Sequence, residues 1–201
     1  MSHMKATVNA EETNVFPRFL DLAYPNIENG KGVWLETTDG KRILDACSGG
    51  AMVACLGHGV TEIADAAAEQ AEKIAYFYNH HFTSGPQEEL ADRLADLVPE
   101  MARVKLASGG SEANETAVRL ARTYHVDRGQ KDRWRVISPA QAYHGSTLGT
   151  LALSGRRLSL QDPYIEYMPA YLHIAPSTPR FDPTGEAALR ELAQKEEPVE
   201  A

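Results

Sequence analysis

Two adjacent glycines followed by a serine make residues 107–115 the most informative stretch of this 201-residue chain. A glycine pair lets the backbone bend sharply and lets a ligand approach the main chain. The stretch lies where a short apolar run gives way to a helical pattern beginning at Ser111. Unpaired N–H groups and the dipole at a helix start favour an anion, and the serine hydroxyl adds a donor. The pattern predicts a phosphate-binding turn at Gly110 and Ser111. The alternative is that Ser111 only caps the helix and the glycines only form the turn.

A second cluster, Tyr143, His144 and Gly145, follows the next predicted strand. In a parallel sheet that strand ends at the same edge as the glycine turn. An aromatic ring beside a phosphate-holding turn suits a planar, electron-poor ligand ring, and Gly145 would permit its close approach. Taken singly, Tyr143 is typical of a core and His144 of a hydrogen-bonded structural residue. Together the two clusters predict a phosphate cradle with a stacking surface.

The elements that must position these clusters alternate between strand and helix from residue 104 onward. This alternation predicts an α/β fold, with a mostly parallel sheet flanked by helices. The predicted strands are 104–107, 134–138 and 171–175, and the predicted helices are 111–126 and 184–194. In the first of these helices, the apolar spacing places Leu120 and Tyr124 inward and Glu115 outward.

The N-terminal part is predicted to be a smaller α+β segment, residues 5–60, after an expression remnant at residues 1–4. Its clearest signal is a β-hairpin, in which runs 33–37 and 42–45 flank Asp39 and Gly40. Two amphipathic helices are predicted beyond it, from Thr61 to about Tyr76 and from Gly85 to Val98. Residues 61–201 are predicted to form the incomplete α/β domain.

Composition excludes several classes of function. The chain has 20 Lys and Arg against 28 Asp and Glu, a net charge of −8, which argues against nucleic acid or an anionic membrane as partner. No run approaches the roughly 20 apolar residues of a membrane span. No Cys/His cluster has zinc-ligand spacing, so no metal site is predicted. Cys47 and Cys55 are interpreted as small core thiols of a cytoplasmic protein.

As an ordered set, the motifs resemble the class III aminotransferases, which are fold-type I enzymes dependent on pyridoxal phosphate. The motifs that carry the resemblance are residues 32–35, 39–45, 56–58, 108–115 and 142–145. They span most of the chain from about residue 14 onward, and they match only the N-terminal portion of such an enzyme.

The resemblance implies a role for each matched residue. Gly110 and Ser111 would hold the cofactor phosphate through backbone N–H groups and the serine hydroxyl. Tyr143 would stack on the pyridine ring, with His144 and Gly145 shaping the same wall.

The resemblance also implies a substrate pocket and a partner subunit. Met52 matches a stretch that lines the substrate pocket, and Phe82 ends a segment, 78–82, that approaches the active site of the other subunit in homodimers. The reaction implied is transfer of an amino group between an amine or ω-amino acid and a keto acid or aldehyde. A pyridoxal-phosphate-dependent aminomutase or decarboxylating transaminase of the same fold is the alternative, because the two clusters bind cofactor and not substrate.

The lysine that such enzymes bond to the cofactor has no convincing candidate in this chain. Lys195 lies in an acidic, solvated stretch, which would raise the pKa of its amine when a catalytic lysine needs it lowered by burial. Lys105 precedes the glycine turn and is expected to point to solvent. The absence keeps open a further alternative, a non-catalytic fragment that binds phosphate compounds.

Overall fold

A computed structural model describes residues 6–101, 103–155 and 162–174 of the chain. The chain divides into two compact units, Met1–Ser84 and Gly85–Ala201. The strands are β1 (Thr7–Asn9), β2 (Ala23–Pro25), β3 (Ile27–Lys31), β4 (Trp34–Thr37), β5 (Arg42–Leu44), β6 (Ile137–Pro139) and β7 (Leu172–Ile174). The α-helices are α1 (Thr61–Lys73), α2 (Gly85–Leu97), α3 (Gly110–Asp127) and α4 (Leu148–Leu153). The predicted domain boundaries, 1–4, 5–60 and 61–201, stay a prediction.

The first unit contains the predicted hairpin, formed by β4 and β5 in antiparallel register with Trp34 opposite Leu44. Gly40 adopts a φ of +80°, a left-handed conformation that glycine tolerates at a tight turn. The buried Thr37 closes the turn, because its hydroxyl accepts from the Lys41 N–H at 3.0 Å and bonds to Asp39. β3 pairs antiparallel with β4 to complete a three-stranded sheet, and β1 and β2 form a separate antiparallel pair.

Asp45 lies directly after β5, and its carboxylate bonds to groups of the segment that follows, residues 47–58. The carboxylate accepts from the backbone N–H groups of Gly49 at 2.6 Å and Cys47 at 3.3 Å. His58 Nε2 lies 2.9 Å from the same carboxylate, whose side chain is only 9% exposed. The hydrogen bond from His58, followed by those from the two backbone groups, lowers the pKa of Asp45 below its ordinary value. His58 in turn exchanges two backbone hydrogen bonds with Gly32, at 2.8 and 2.9 Å.

The second unit contains the one parallel strand pair of the described residues. β6 and β7 run in register, with Ile137 opposite Leu172 and Pro139 opposite Ile174. Their connection passes through α4, and this pairing agrees with the parallel sheet that strand–helix alternation predicts. Ala152 and Leu153 of α4 are the buried apolar side chains among the residues that the structure describes. The buried hydroxyl of Ser138 donates to the Leu153 carbonyl at 2.7 Å and so fastens β6 to α4.

Three predicted elements differ from the structure by more than one residue. Residues 104–107 are not a strand, because no described residue pairs with their backbone and a strand needs a hydrogen-bonded neighbour. β6 begins at Ile137 and not at residue 134, because its pairing with β7 starts at Ile137. α1 ends at Lys73 because Ile74 is extended, with a φ of −158°. The predicted helix 184–194 lies outside the described residues.

Two expectations of burial are wrong. Leu120 and Tyr124 are 66% and 53% exposed, because α3 meets α4 through its polar face and not through its apolar stripe. Cys47 and Cys55 are free and exposed, since both lie in the irregular stretch after β5. Within the described ranges, no helix combines the length and the apolar character needed to cross a bilayer.

Replacing Asp45 by asparagine in the full-length protein that carries this chain tests whether the hydrogen bonds to its carboxylate stabilise the fold. Because the folded state lowers the pKa of Asp45, its contribution to stability is present above the unfolded value of 3.8 and is lost as the pH falls further. We expect Asp45→Asn to lower the melting temperature at pH 7, and the difference from wild type to shrink below about pH 4. Circular dichroism melts across this range measure it. Asp65→Asn, an exposed change on α1, is the control; a pH-independent Asp45→Asn difference would contradict the assignment.

Candidate functional site

The first turn of α3 presents backbone donors to an open space. Gly109 is extended, and α3 begins at Gly110 without a side-chain cap. The N–H groups of Gly110, Ser111 and Glu112 donate to no other described residue. A Cβ placed on Gly110 would meet no atom of the surrounding described residues within 4 Å, so no side chain crowds the helix start at that position. Unpaired donors at the positive end of an 18-residue helix form a favourable place for an anion.

Ser111 joins this turn to residues 142–147, which we name the tyrosine loop. Its hydroxyl oxygen accepts from the N–H of Ser146 at 3.1 Å, across 35 residues of sequence. Since the oxygen is the acceptor in that bond, the hydroxyl proton remains to be donated to another group. The structure therefore brings together the two clusters that the sequence singles out, at Ser111 and at the tyrosine loop.

His144 is held through its backbone on both sides. Its carbonyl accepts from Nδ2 of Asn114 at 2.7 Å, and its N–H donates to the buried hydroxyl of Ser154 at 2.8 Å. The ring atom Nε2 is shielded from solvent and has no hydrogen-bond partner among the described residues. A buried ring nitrogen without a partner is costly, so it marks a place where a further polar group would be stabilising.

Gly145 lies at a close approach between the tyrosine loop and α3. It is buried and has a φ of +140°, which side-chain-bearing residues rarely adopt. A Cβ here would lie 2.6 Å from Ser111 Oγ and closer still to Thr150 Oγ1. The sequence analysis expects Gly145 to let a ligand approach closely. In the structure, the groups that approach it closely are the hydroxyls of Ser111 and Thr150.

Tyr143 precedes these anchored residues and is 68% exposed. Its side chain makes no hydrogen bond or ring contact with another described residue. Its ring is therefore available as a stacking surface, and its backbone position is determined by the neighbours in the tyrosine loop.

Glu115 does not face solvent as the helical pattern predicts. Its Oε1 accepts from the hydroxyl of Thr147 at 2.7 Å, and the carboxylate lies against Gly149, where a Cβ would be 2.6 Å away. Together with burial, which is the larger effect, the negative charge of Glu115 raises the pKa of Tyr171. The prediction is wrong because a helical pattern places charged residues on the solvent-exposed face, whereas the Glu115 carboxylate bonds to Thr147, 32 residues later in the sequence.

Met52 and Phe82, the predicted pocket residues, belong to the first unit. Met52 is the last residue of the helical turn Ser48–Met52, which follows Asp45. It is 78% exposed and has a φ of +55°. Phe82 is 65% exposed, and its N–H donates to the Tyr78 carbonyl at 3.2 Å. Their exposure is compatible with ligand contact, and their role stays a prediction.

Several residues of the site escape sequence reasoning. Asn114 and Glu115 lie within residues 107–115, three and four positions after Ser111. This helical spacing places them on the same face of α3 as Ser111, and it is the sequence signal that could have identified them. Thr147 carries a local signal as well, since it caps α4 and is followed by Thr150, whose N–H it accepts. Lys105 is exposed, Lys195 lies outside the described residues, and the described residues hold no group of three potential metal ligands.

The family follows from comparison with known proteins. A family model described as aminotransferase class-III matches residues 19–201. This chain therefore belongs to the class III aminotransferase family.

Individual relatives agree with this assignment. The chain is 42% identical over 134 residues to an uncharacterized aminotransferase of Schizosaccharomyces pombe, covering 66% of this chain and 29% of that protein. It is 39% identical over 134 residues to the acetylornithine aminotransferase of Agrobacterium fabrum, covering 67% and 33%. The chain thus spans about a third of the length of the curated relatives it matches.

Solved structures confirm the α/β fold. The omega transaminase from Pseudomonas jessenii, in complex with PMP, matches with a TM-score of 0.82 and 26% identity. The match covers 92% of this chain and 44% of that one, as expected for part of a fold-type I transaminase.

Replacing Gly145 by alanine tests the narrow contact between the tyrosine loop and α3. The added methyl group would overlap Ser111 Oγ, and the backbone conformation disfavours a side chain. We expect a loss of about 2 kcal/mol in the free energy of unfolding, measured by denaturant titration of the full-length protein. Gly110→Ala adds the same methyl group in open space and should change stability by less than about 0.5 kcal/mol. Equal effects of the two substitutions would refute the packing described.

Proposed function

We propose that the protein carrying this chain is a pyridoxal-phosphate-dependent transaminase, which moves an amino group between an amine or ω-amino acid and a keto acid or aldehyde. The observation that carries the proposal is the open, donor-bearing start of α3, bonded through Ser111 to the tyrosine loop. Family membership supports the same reaction. Similarity to an acetylornithine aminotransferase and to an omega transaminase supports an amine or ω-amino acid as the amino donor.

The residues present fit the cofactor. In this proposal, the N–H groups of Gly110 and Ser111 and the Ser111 hydroxyl hold the phosphate, since no other described residue accepts from these donors. Tyr143 stacks on the ring, and His144 and Gly145 form the adjoining wall. The buried, unpaired Nε2 of His144 supports a further polar group at this wall. When bound, pyridoxal phosphate supplies an electron-accepting ring for amino transfer.

Other parts of the proposal concern the first unit and the rest of the protein. Met52 and Phe82 would line the substrate pocket, and their exposure of 78% and 65% leaves their side chains free for ligand contact. The lysine that bonds to the cofactor is proposed not to be among the lysines of this chain; Lys105, for example, is exposed. We further propose a homodimer with shared active sites and a cytoplasmic location, the latter supported by the free thiols of Cys47 and Cys55.

The proposed reaction is tested by incubating the purified full-length protein with pyridoxal phosphate, an ω-amino acid and pyruvate. We expect alanine to accumulate as the donor is consumed. Mass spectrometry with a ¹⁵N-labelled donor measures both changes. Label retained in a rearranged donor would identify an aminomutase, and carbon dioxide release would identify a decarboxylating transaminase. Binding of pyridoxal phosphate without any conversion would favour a non-catalytic phosphate-binding protein.

Ser111→Ala tests the phosphate contact. Loss of a hydrogen bond to a charged group should weaken the affinity for pyridoxal phosphate by roughly 1–3 kcal/mol, as measured by fluorescence titration. Thr123→Ala, which removes an exposed hydroxyl bonded to the Arg119 carbonyl near the other end of α3, is the matched control and should leave affinity unchanged. Should Ser111→Ala bind the cofactor as tightly as wild type, Ser111 only braces the tyrosine loop.

A further inference from the structure

We propose that Asn114 and Glu115 are positioning residues that hold the tyrosine loop, and with it the Tyr143 ring, in the orientation that receives the cofactor. The inference rests on the proposed function and extends it to two residues whose side chains bond to the tyrosine loop. It follows from three long-range contacts that leave one face of α3 and end in or beside the same loop.

The Asn114 contact fixes the peptide next to Tyr143. Asn114 is half-buried and donates from Nδ2 to the His144 carbonyl at 2.7 Å. It lies three residues after Ser111, on the same face of α3. An asparagine amide can donate this bond, whereas a carboxylate of the same shape cannot. The chemistry of this position is therefore specific to a donor.

The Glu115 contact fixes the far end of the tyrosine loop. Glu115 lies four residues after Ser111, and its carboxylate accepts from the Thr147 hydroxyl at 2.7 Å. Bonds to an ionised acceptor are stronger than bonds between neutral groups. The carboxylate also lies against Gly149 of α4, where no side chain separates it from the backbone. Glu115 thus holds the loop where it enters α4.

The Tyr143 ring depends on these anchors because it has none of its own. The side chain is 68% exposed and contacts no other described residue through a hydrogen bond or ring. Its direction follows from the backbone of His144, which Asn114 holds, and from the end of the loop, which Glu115 holds. The anion end of α3 does not depend on them, since the N–H groups of Gly110 and Ser111 belong to the helix itself.

This difference defines the experiment. In the full-length protein, dissociation constants are measured for pyridoxal phosphate by fluorescence titration and for inorganic phosphate by competition, alongside melting temperatures. We expect Asn114→Ala and Glu115→Ala to weaken binding of pyridoxal phosphate about tenfold, the equivalent of one lost hydrogen bond, with phosphate changed less than about twofold. Tyr143→Ala, which removes the ring, should show the same selective loss.

Conservative variants separate positioning from packing. Glu115→Gln keeps an acceptor for Thr147 and should restore most of the affinity for pyridoxal phosphate. Asn114→Asp keeps the shape but loses the donor and should behave like Asn114→Ala, so it carries the test if the alanine variants do not fold. Asp127→Asn, a carboxylate-to-amide change at the opposite end of α3, is the control and should alter neither ligand.

The outcomes are distinguishable. Equal losses for the two ligands, or unchanged affinities in folded Asn114→Asp, overturn the positioning role while the proposed function stands. Failure of the wild-type protein to bind pyridoxal phosphate overturns the proposed function and the inference with it. A loss confined to pyridoxal phosphate, with rescue by Glu115→Gln, supports the inference.

Discussion

The candidate site depends on how closely the backbone of the tyrosine loop approaches the first turns of α3. Gly145 makes this approach possible, because any side chain at that position would enter the space of Ser111 Oγ and Thr150 Oγ1. The same serine oxygen then accepts the Ser146 N–H, which leaves its proton available for donation. A hydrogen bond thereby joins the start of α3 to the loop that carries the exposed Tyr143 ring, although about 30 residues of chain separate them.

The first unit is built by a related principle around Asp45. Between β5 and α1 the backbone has N–H groups that no sheet or helix satisfies, and such groups need partners in the protein or in water. The Asp45 carboxylate provides them for Cys47 and Gly49 and ties the loop to His58. In both units, therefore, one polar side chain organises a loop that lacks regular secondary structure, and it does so from the end of a regular element.

Local patterns predict local structure well in this chain. The Asp39-Gly40 hairpin, and the starts of α1, α2 and α3 to within one residue, follow from turn chemistry and hydrophobic spacing. The parallel pairing of β6 with β7 agrees with the parallel sheet that strand–helix alternation predicts, although the sequence did not identify these two strands as neighbours. The prediction that Ser111 and the tyrosine loop come together agrees with the structure. The reasoning behind it, two neighbouring parallel strands that end at one edge of a sheet, holds only in part, because residues 104–107 are not a strand.

Long-range polar pairing is what the sequence did not reveal. Glu115 reads as a surface residue because its partner, Thr147, is recognisable only once the loop is folded against α3. Asn114 is hidden for the same reason, since its acceptor is a backbone carbonyl that no residue type encodes. Residues 104–107 have strand-like composition, but composition does not supply the hydrogen-bonded neighbour that defines a strand.

The backbone conformation at Met52 has a consequence for mutagenesis at this position. Met52 and Ser48 both occupy left-handed backbone, with φ of +55° and +50°. Side chains that branch at Cβ clash with their own carbonyl in that region, whereas glycine and asparagine tolerate it. A mutagenesis library that spends its diversity on valine, isoleucine and threonine at position 52 would thus mostly sample distorted turns, despite the 78% exposure of the side chain.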